Sequence, residues 1–396
     1  MSTLGEPRTI AFVNAEIAGF GRGSLRIRGS RIVSVGARAE REDRVVDLKG
    51  DRLMPGLINS HDHLHRNHYP RMKFRTHYEN ASHWAADIDA RRSSDAVLTA
   101  CSAVPRADRL MLGGLKNLLS GVTTVLHHDA AYPELAAPAF PLHVPARYGW
   151  AHSLAIDGPL RVRESHAATS RDVPWFIHAG EGTDTAAADE AVQLDVLGVL
   201  TPNTVLVHGI AFDGAARACL IERRVGLVWC PGSNSFLYGA TAATGEIART
   251  GLLALGSDSR LSGERDLLDE LRFARDTGEV EDSQLESLVT TNAARLLRMQ
   301  DRGVLRAGAV ADLIVLPRDA RLWEMRRANL RCIIARGEFR CGDDDYADFL
   351  LEPQSRAHAV VDGHHKCVAA EVAELLRRPA ICEPGVQLVS GAARAA

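Results

Sequence analysis

The sequence predicts an α/β protein: a TIM-like (β/α)8 barrel with a small composite β-sandwich domain formed by the N- and C-terminal parts. Three observations lead to this fold class. Short segments rich in β-branched residues lie towards both ends of the chain. Between them, apolar strand-like segments alternate with helical ones, which is typical of a parallel sheet. The alternating part is about 250 residues long, the usual size of an eight-stranded α/β barrel.

The composite β domain is predicted from residues 1–54 together with 303–350. Its first three strands are separated by Gly, Asn and Ser, residues that favour turns. The predicted strands are residues 9–15, 24–28, 32–35, 311–316 and 330–336. Because two distant β-rich regions flank the alternating part, we expect them to pair in one domain.

The barrel is predicted over residues 55–302, from short apolar strands with amphipathic helices between most of them. The strands are predicted at 53–59, 122–126, 146–151, 173–177, 204–207, 226–229 and 252–256. The helices are predicted at 106–119, 185–200, 214–224 and 283–298. This pattern supplies seven strands, and the missing fourth strand belongs at 156–172. Residues 351–396 are predicted to form a C-terminal extension, in which 367–378 fits an amphipathic helix.

The composition favours a cytoplasmic protein that acts on small molecules. The 396 residues carry 47 basic and 50 acidic side chains, so the net charge of −3 favours neither nucleic acid nor a membrane surface as a partner. No run of about 18 apolar residues is present, and residues 1–8 lack the apolar stretch of a signal peptide. The seven cysteines are scattered without a C-x-x-C pair, which favours reduced thiols.

The first chemical signal is an apolar strand that runs into His61-Asp62-His63. Residues i and i+2 of a strand face the same side, so both imidazoles can approach one metal ion. The carboxyl ends of barrel strands are where active sites form. His65 and His68 follow closely, and the local pattern alone does not decide which pair binds.

Three later strands end in residues of the same kind, namely His178, His208 and Asp258. A single such ending is more often a polar strand cap than a ligand. Together with the His-x-His pair, however, the three supply the nitrogen and oxygen atoms that Zn²⁺ and similar divalent ions bind.

Glu181 follows His178 by three residues, in His-Ala-Gly-Glu-Gly. A carboxylate that lies beside a metal site without being a ligand can shuttle protons. The alternative is an acidic residue that stabilises the N-terminus of the following helix through the helix dipole.

These motifs carry a resemblance to a known family. From about Thr9 to Gly337, the chain resembles the amidohydrolase superfamily, within it the mononuclear aminohydrolases that include cytosine deaminase, guanine deaminase and the triazine hydrolases. The matching segments are residues 55–63, 121–125, 178–181, the strand ending at His208, 230–234, 256–258, 291–295 and 308–316.

The resemblance implies one divalent metal ion, Zn²⁺ or Fe²⁺, and a small-molecule substrate. The metal ligands that it implies are His61, His63, His178 and Asp258. It also implies that Glu181 protonates the substrate, that His208 stabilises an oxyanion and that Asp258 takes a proton from the attacking water. Binuclear members carry a carboxylated lysine at the end of a middle strand; no lysine stands in such a place here, which points to the mononuclear type.

Further polar and aromatic residues follow the predicted strands, near the expected mouth of the barrel. Each alone is explained as well by packing or by loop hydrogen bonds, but this end of a barrel is where substrates bind. The candidate substrate-binding residues are His127, His128, Trp150, Ser233 and Asn234.

The predicted function is a metal-dependent hydrolase of non-peptide C–N bonds that deaminates a small molecule bearing an N-heterocycle or an amidine. Two alternatives stay open at this point. One is a cyclic amide, imine or formimino hydrolase similar to imidazolonepropionase. The other is a non-catalytic barrel that binds a metal, against which Glu181 argues because a structural site needs no such acid. A homodimer is implied by the resemblance alone.

Overall fold

A computed structural model describes residues 9–389, which group into two compact units. Within these limits, the unit that we call the sheet unit comprises residues 9–57, 117–123 and 300–389. The other, which we call the alternating unit, comprises residues 58–116 and 124–299. The domain limits predicted from the sequence stay a prediction.

The strands are numbered in chain order. They are β1 (Thr9–Ile17), β2 (Gly21–Arg28), β3 (Arg31–Val35), β4 (Arg44–Asp47), β5 (Arg52–Pro55), β6 (Leu57–Asp62), β7 (Val122–His127), β8 (Gly149–Ser153), β9 (Trp175–Ala179), β10 (Thr204–His208), β11 (Gly226–Trp229), β12 (Leu253–Leu255), β13 (Leu313–Leu316), β14 (Cys332–Ala335), β15 (Glu338–Gly342), β16 (Arg356–Val361), β17 (His364–Ala369) and β18 (Val386–Leu388).

The helices are numbered in the same way. They are α1 (Ala81–Arg91), α2 (Ala96–Ser102), α3 (Arg106–Leu119), α4 (Leu154–Ala168), α5 (Thr185–Val196), α6 (Gly214–Glu222), α7 (Pro231–Tyr238), α8 (Gly245–Thr250), α9 (Leu267–Thr277), α10 (Asp282–Leu288), α11 (Thr291–Leu296), α12 (Asp344–Leu350) and α13 (Ala370–Leu376). None of the helices within residues 9–389 has the length and apolar character that crossing a bilayer requires.

The sheet unit contains one 11-stranded sheet, in the order β18-β16-β17-β15-β14-β13-β5-β1-β2-β3, with β4 paired to β1. Its early and late strands meet where β5 runs antiparallel to β13, with Leu53 opposite Val315. Buried side chains from both parts of the chain, among them Phe12, Leu25 and Leu313, form one core cluster. Burial of these apolar side chains, at about 25 cal/mol per Å², stabilises the pairing of segments that are distant in sequence.

The alternating unit is built on five parallel strands in the order β12-β11-β10-β9-β8, with β6 and β7 paired in a second sheet. Every residue of β9, β10 and β11 is buried. Strands that are apolar along their whole length are typical of parallel sheets covered on both faces by helices. The predicted mixed α/β fold is confirmed at this level.

The strand expected at residues 156–172 is not formed in the described part of the chain, and that prediction is wrong. This segment is helix α4, which begins after Ser153, whose hydroxyl accepts a hydrogen bond from the backbone N–H of Ile156. Strand β8 pairs directly with β9, which leaves no place between them for a further strand. The backbone of His143 instead forms a parallel bridge with Thr124 on β7.

Two predicted helices also differ from the structure. The segment 283–298 is divided into α10 and α11, because Thr290 has non-helical torsion angles (φ −135°, ψ −97°). In the segment 367–378, the first three residues belong to β17, and only Ala370–Leu376 is helical. Backbone pairing of Cys367 and Val368 with β15 and β16 overrides the local helical pattern there.

Candidate active site

The four predicted metal ligands converge at the carboxyl ends of the strands. His61 lies on β6, His63 follows it, His178 lies on β9, and Asp258 follows β12 by three residues. Nε2 of His178 lies 3.3 Å from Nε2 of His63 and 3.4 Å from Nε2 of His61. Oδ1 of Asp258 lies 3.7 Å from Nε2 of His61 and 3.9 Å from Nε2 of His63. All four side chains are buried.

Hydrogen bonds on the far side of the imidazole rings fix where their protons lie. Nδ1 of His178 donates to the carbonyl oxygen of His152 at 2.7 Å, so its Nε2 carries a bare lone pair. Nε2 of His128 donates to the carbonyl oxygen of Ala151 at 3.0 Å. Nδ1 of His128 must therefore accept the proton of His61 Nδ1, 3.3 Å away, which leaves His61 Nε2 bare as well.

Two lone pairs that face each other at 3.4 Å in a buried site repel unless a cation lies between them. The separations of 3.3–3.9 Å among the four donor atoms are close to the roughly 3.3 Å edge of a tetrahedron with zinc–nitrogen bonds of about 2.0–2.1 Å. Burial holds the pKa of His63 and His178 well below the ordinary value, which keeps them neutral, as metal ligands must be. The residues therefore fit a divalent metal ion.

Two overlapping groups of residues are able to hold such an ion among residues 9–389. One consists of His61, His63 and Asp258, and the other of His61, His178 and His208. His208 was predicted as a catalytic residue and not as a ligand, and its position beside the ligands is compatible with either role.

The backbone is strained at two of these positions. His208 (φ 80°) and Asp258 (φ 49°) both adopt left-handed torsion angles, which are uncommon for residues other than glycine. Strained backbone conformations are concentrated at functional sites, where they set the direction of a side chain. Gly256 allows the required close approach, because a Cβ atom there would lie 2.6 Å from Cβ of His61.

Asp258 is held by two serine hydroxyls. Ser233 and Ser262 donate to its Oδ2 at 2.8 Å and 2.7 Å, which leaves Oδ1 directed towards the histidines. Burial acts to raise the pKa of Asp258, but its contacts with the histidines, His61 above all, and the hydrogen bond from Ser262 hold that pKa well below its ordinary value. The carboxylate is therefore ionised, as a metal ligand requires.

Glu181 lies between a tyrosine and a histidine. The hydroxyl of Tyr238 donates to its Oε1 at 2.8 Å, and Nε2 of His208 lies 3.6 Å from the same oxygen. Nδ1 of His208 in turn donates to Oδ1 of Asn234 at 2.8 Å. Burial raises the pKa of Glu181, and the nearby charge of Asp258 raises it further, against the opposing effect of His208. A carboxyl group with a raised pKa is suited to giving and taking protons near neutral pH.

The predicted substrate-binding residues lie around this cluster and contact its members. His128 stacks on His178 with ring centroids 4.3 Å apart, and Trp150 meets His128 edge-on at 5.9 Å. His127 is fully buried, and its Nδ1 accepts the backbone N–H of Leu64 at 3.3 Å. Ser233 and Asn234 bond to Asp258 and His208, as described above. Their roles towards a substrate stay predictions.

Sequence reasoning missed several residues that support the site. Tyr238 was not singled out, nor was Lys116, whose Nζ lies 3.1 Å from Oδ2 of Asp62 with both side chains fully buried. For Lys116 the sequence does contain a signal of burial. It lies four residues after Leu112, on the same face of a helix whose neighbouring positions are apolar. Tyr238 gives no such signal, since its partner Glu181 is distant in the sequence.

Comparison with known proteins finds similarity to one family. A model of the amidohydrolase family matches residues 160–339. The chain is 27% identical over 348 residues to 5-methylthioadenosine/S-adenosylhomocysteine deaminase from Natronomonas pharaonis, which covers 73% of this chain and 78% of the relative. The chain is similar to proteins of the amidohydrolase family. The predicted resemblance is thereby confirmed, as is its assignment as a metal-dependent hydrolase acting on non-peptide C–N bonds.

Solved structures of two zinc-containing enzymes share the fold. Atrazine chlorohydrolase from Arthrobacter aurescens TC1, complexed with zinc, matches with a TM-score of 0.67 and 16% identity, over 83% of this chain and 94% of the other. An adenosine deaminase from Xanthomonas campestris with bound zinc also has a TM-score of 0.67, at 17% identity, over 85% of this chain and 93% of the other. The zinc in both structures and the histidine-rich cluster of this protein support a divalent metal ion.

Proposed function

We propose that the protein deaminates adenine nucleosides that carry a substituent at the 5′ position, such as 5′-methylthioadenosine and S-adenosylhomocysteine. The observation that carries the proposal is the position of Glu181. This partly buried acid contacts Tyr238 and His208 beside a cluster that fits a metal ion. The names of the deaminase from N. pharaonis and of the adenosine deaminase from X. campestris support the adenine nucleoside as substrate.

The proposed ligands are His61, His63, His178 and Asp258, and the proposed ion is Zn²⁺. Three imidazoles and one carboxylate are a donor set that suits zinc better than magnesium or calcium, which prefer oxygen ligands. When bound, such an ion makes water nucleophilic at neutral pH.

The protein residues then move protons and stabilise charge. In the proposed reaction the oxygen of water adds to C6 of the adenine ring, the C6–N bond breaks, and ammonia leaves a ring with a carbonyl group at C6. Asp258 takes a proton from the attacking water at Oδ1, the oxygen free of serine hydroxyls. Asp258 then gives this proton to the leaving amino group. Glu181 donates a proton to the neighbouring ring nitrogen and regains one from the hydroxyl group at C6 as the carbonyl group forms.

His208 is proposed to stabilise the oxygen that gains charge. Its Nδ1–H is donated to Oδ1 of Asn234 at 2.8 Å, which fixes the orientation of the ring and leaves Nε2 as the atom that faces the charged oxygen. Oε1 of Glu181 lies 3.6 Å from that Nε2, so the two proposed catalytic groups are neighbours.

We also propose that the strands of the alternating unit close into the predicted eight-stranded barrel. Two contacts support closure. The backbone N–H of Asp258, after β12, donates to the carbonyl oxygen of His61 on β6 at 3.1 Å. The bridge between Thr124 and His143 places a further extended segment beside β7. The composite β-sandwich, a cytoplasmic location and a homodimer are retained as predictions; all seven cysteines are free, which suits a reducing compartment.

The test is ammonia release from a panel of adenine nucleosides with and without 5′ substituents, together with the metal content of the purified protein. We expect about one metal ion per chain and the highest kcat/KM for a 5′-substituted nucleoside. Metal without ammonia from any adenine nucleoside would contradict the proposed substrate and favour opening of a cyclic amide or imine.

Substitution Glu181→Gln tests the proposed proton carrier. The amide keeps the shape of the side chain but cannot carry the proton, so we expect kcat to fall by about 10²–10⁴-fold. Metal content should stay at the wild-type level, because Glu181 is not among the proposed ligands. Full turnover in this variant would exclude the role assigned to Glu181.

A further inference from the structure

Lys116, on helix α3, is completely buried in the alternating unit. Its ammonium group makes three polar contacts: with Oδ2 of Asp62 at 3.1 Å, Oδ1 of Asn67 at 2.9 Å and Oγ of Ser257 at 3.0 Å. An ammonium group has three N–H donors, so these contacts use all of them. The three acceptors therefore match the three donors of a lysine, and the carboxylate of Asp62 also balances its positive charge.

The partners of Lys116 are neighbours of the proposed metal ligands in the chain. Asp62 stands between His61 and His63, and Ser257 directly precedes Asp258. Lys116 thus contacts both stretches of chain that deliver these ligands. The two stretches are also joined by the amide of Asn59, whose Nδ2 donates to Oγ of Ser257 at 2.8 Å.

The close approach of α3 to the metal-binding stretch depends on Gly113. A Cβ atom at this position would lie 2.3 Å from the carbonyl oxygen of Leu64, the residue after His63. Three residues further along the helix, Lys116 reaches Asp62 from the same side. The helix is therefore packed against the backbone that follows the histidine pair.

Stability alone does not account for this arrangement. A buried ion pair is often no more stabilising than well-packed apolar side chains of similar volume, because both charges lose their hydration. What a buried ion pair provides is a single geometry, since any displacement leaves a charge without its partner.

We propose that Lys116 is a positioning residue for the metal site, which fixes Asp62 and Ser257 and thereby the separation between the His61–His63 pair and Asp258. This inference rests on the proposed metal site. Hydrogen-bonded groups behind metal ligands typically change metal affinity by 10–100-fold when they are removed.

Three explanations of Lys116 predict different changes in metal affinity when the lysine is removed: an increase, a decrease or no change. If the lysine acted only through its positive charge, its removal would strengthen the binding of a cation, because Asp62 would then be uncompensated. If it positions the ligands, its removal weakens binding despite that charge. If it only stabilises the fold, metal affinity does not change.

The experiment is the substitution Lys116→Met, which removes the charge and preserves most of the volume. Zn²⁺ affinity is measured by competition with a chromophoric chelator, and ligand geometry by the visible absorption spectrum of the Co²⁺-substituted protein. We expect 10–100-fold weaker Zn²⁺ binding and an altered Co²⁺ spectrum. Tighter binding, or unchanged affinity with an unchanged spectrum, would overturn the proposal.

If the Lys116→Met variant does not fold, the substitution Ser257→Ala is the second test. It removes one hydrogen-bond acceptor of Lys116 and leaves the ion pair between Lys116 and Asp62 in place. It should weaken Zn²⁺ binding in the same direction by a smaller factor, and wild-type affinity in this variant would also overturn the proposal. The matched control is Arg327→Met, which breaks an equally buried pair with Glu383 in the sheet unit. The control should lower the melting temperature and leave Zn²⁺ affinity unchanged.

The wild-type protein separates a failure of this inference from a failure of the proposed function. A wild type that binds Zn²⁺ but deaminates no adenine nucleoside contradicts the proposed substrate, while the comparison of affinities still decides the role of Lys116. A wild type that binds no divalent metal overturns both.

Discussion

At the scale of single residues, the contact between Tyr238 and Glu181 links a buried hydroxyl to the proposed proton carrier. Tyr238 is 4% exposed, and its hydroxyl donates to Oε1 of Glu181 at 2.8 Å. A hydrogen bond of this kind restricts the carboxyl group to one rotamer and favours its ionised form. Tyr238 is therefore expected to influence turnover more than substrate binding.

The substitution Tyr238→Phe removes this hydrogen bond and preserves the packing of the ring. Hydrogen bonds to charged groups contribute about 1.5–3 kcal/mol, so we expect kcat to fall by about 10–100-fold. Steady-state kinetics should show KM within about twofold of the wild type. An unchanged kcat would show that Glu181 does not depend on the tyrosine.

The residues proposed as ligands or catalytic groups at strand ends were accessible to sequence reasoning, because each follows an apolar strand. His178 and His208 are preceded by buried apolar residues that mark such strands clearly. Tyr238 was not, because the fold alone brings it to Glu181. For Lys116 the apolar positions around it in α3 are a signal of burial, but they do not identify its partners. Their importance becomes visible only through the contacts with Asp62 and Glu181.

At the scale of elements, helix α5 is tied to the strand end that carries His178 and Glu181. Oε2 of Glu190, on α5, accepts the backbone N–H of Gly180 at 2.7 Å. Burial raises the pKa of Glu190 from 4.5 to about 7. The folded protein therefore prefers the protonated acid, and the free energy of unfolding falls as pH rises from about 4.5 to about 7.

Substitution Glu190→Gln should remove this pH dependence. A glutamine retains an acceptor for Gly180 and has no charge to desolvate. The variant should differ from the wild type by less than about 1 kcal/mol at pH 5, and at pH 8 it should be more stable by at most about 3 kcal/mol, from about 1.4 kcal/mol per pKa unit. Melting temperatures at the two pH values, with saturating Zn²⁺, provide the measurement. An equal difference between variant and wild type at both values would contradict the assignment.

Elements defined by local signals were predicted with their boundaries. Helix α3 spans Arg106–Leu119 and strand β11 spans Gly226–Trp229, as the sequence indicated. The boundaries of elements that pair with strands distant in the sequence were not predicted. The segment at 367–378 is divided because Cys367 and Val368 pair with strands β15 and β16, and this pairing has no trace in the local periodicity.

At the scale of the whole molecule, the proposed ligands join three stretches of the alternating unit that are far apart in sequence. A ligand that binds only the folded state stabilises it by about 4 kcal/mol when its concentration is 1,000 times Kd. Bound metal is therefore expected to contribute substantially to the stability of this unit.

Chelation should lower the melting temperature by several degrees, and Zn²⁺ added back should restore it. Differential scanning calorimetry of the metal-free and reloaded protein measures the change. The control is His178→Ala, in which a ligand is missing and the chelator should have a much smaller effect. If the chelator shifts both proteins equally, the shift does not come from this site.

The general architecture followed from periodicity, whereas the order of the large sheet did not. The alternation of apolar strands and helices along the sequence is sufficient to predict the parallel sheet. The order β18-β16-β17-β15-β14-β13-β5-β1-β2-β3 depends on pairings between distant strands, for which a single sequence contains no register signal.

The pairing of β5 with β13 has a consequence for biosynthesis. Leu53 lies opposite Val315, so the first strands leave the ribosome long before their partners are made. At about 5–20 residues per second, the interval is on the order of 10–50 seconds. During that time β5 has an unpaired edge, and unpaired edges recruit other chains. Nascent molecules of this protein are therefore expected to need a chaperone until the late strands arrive.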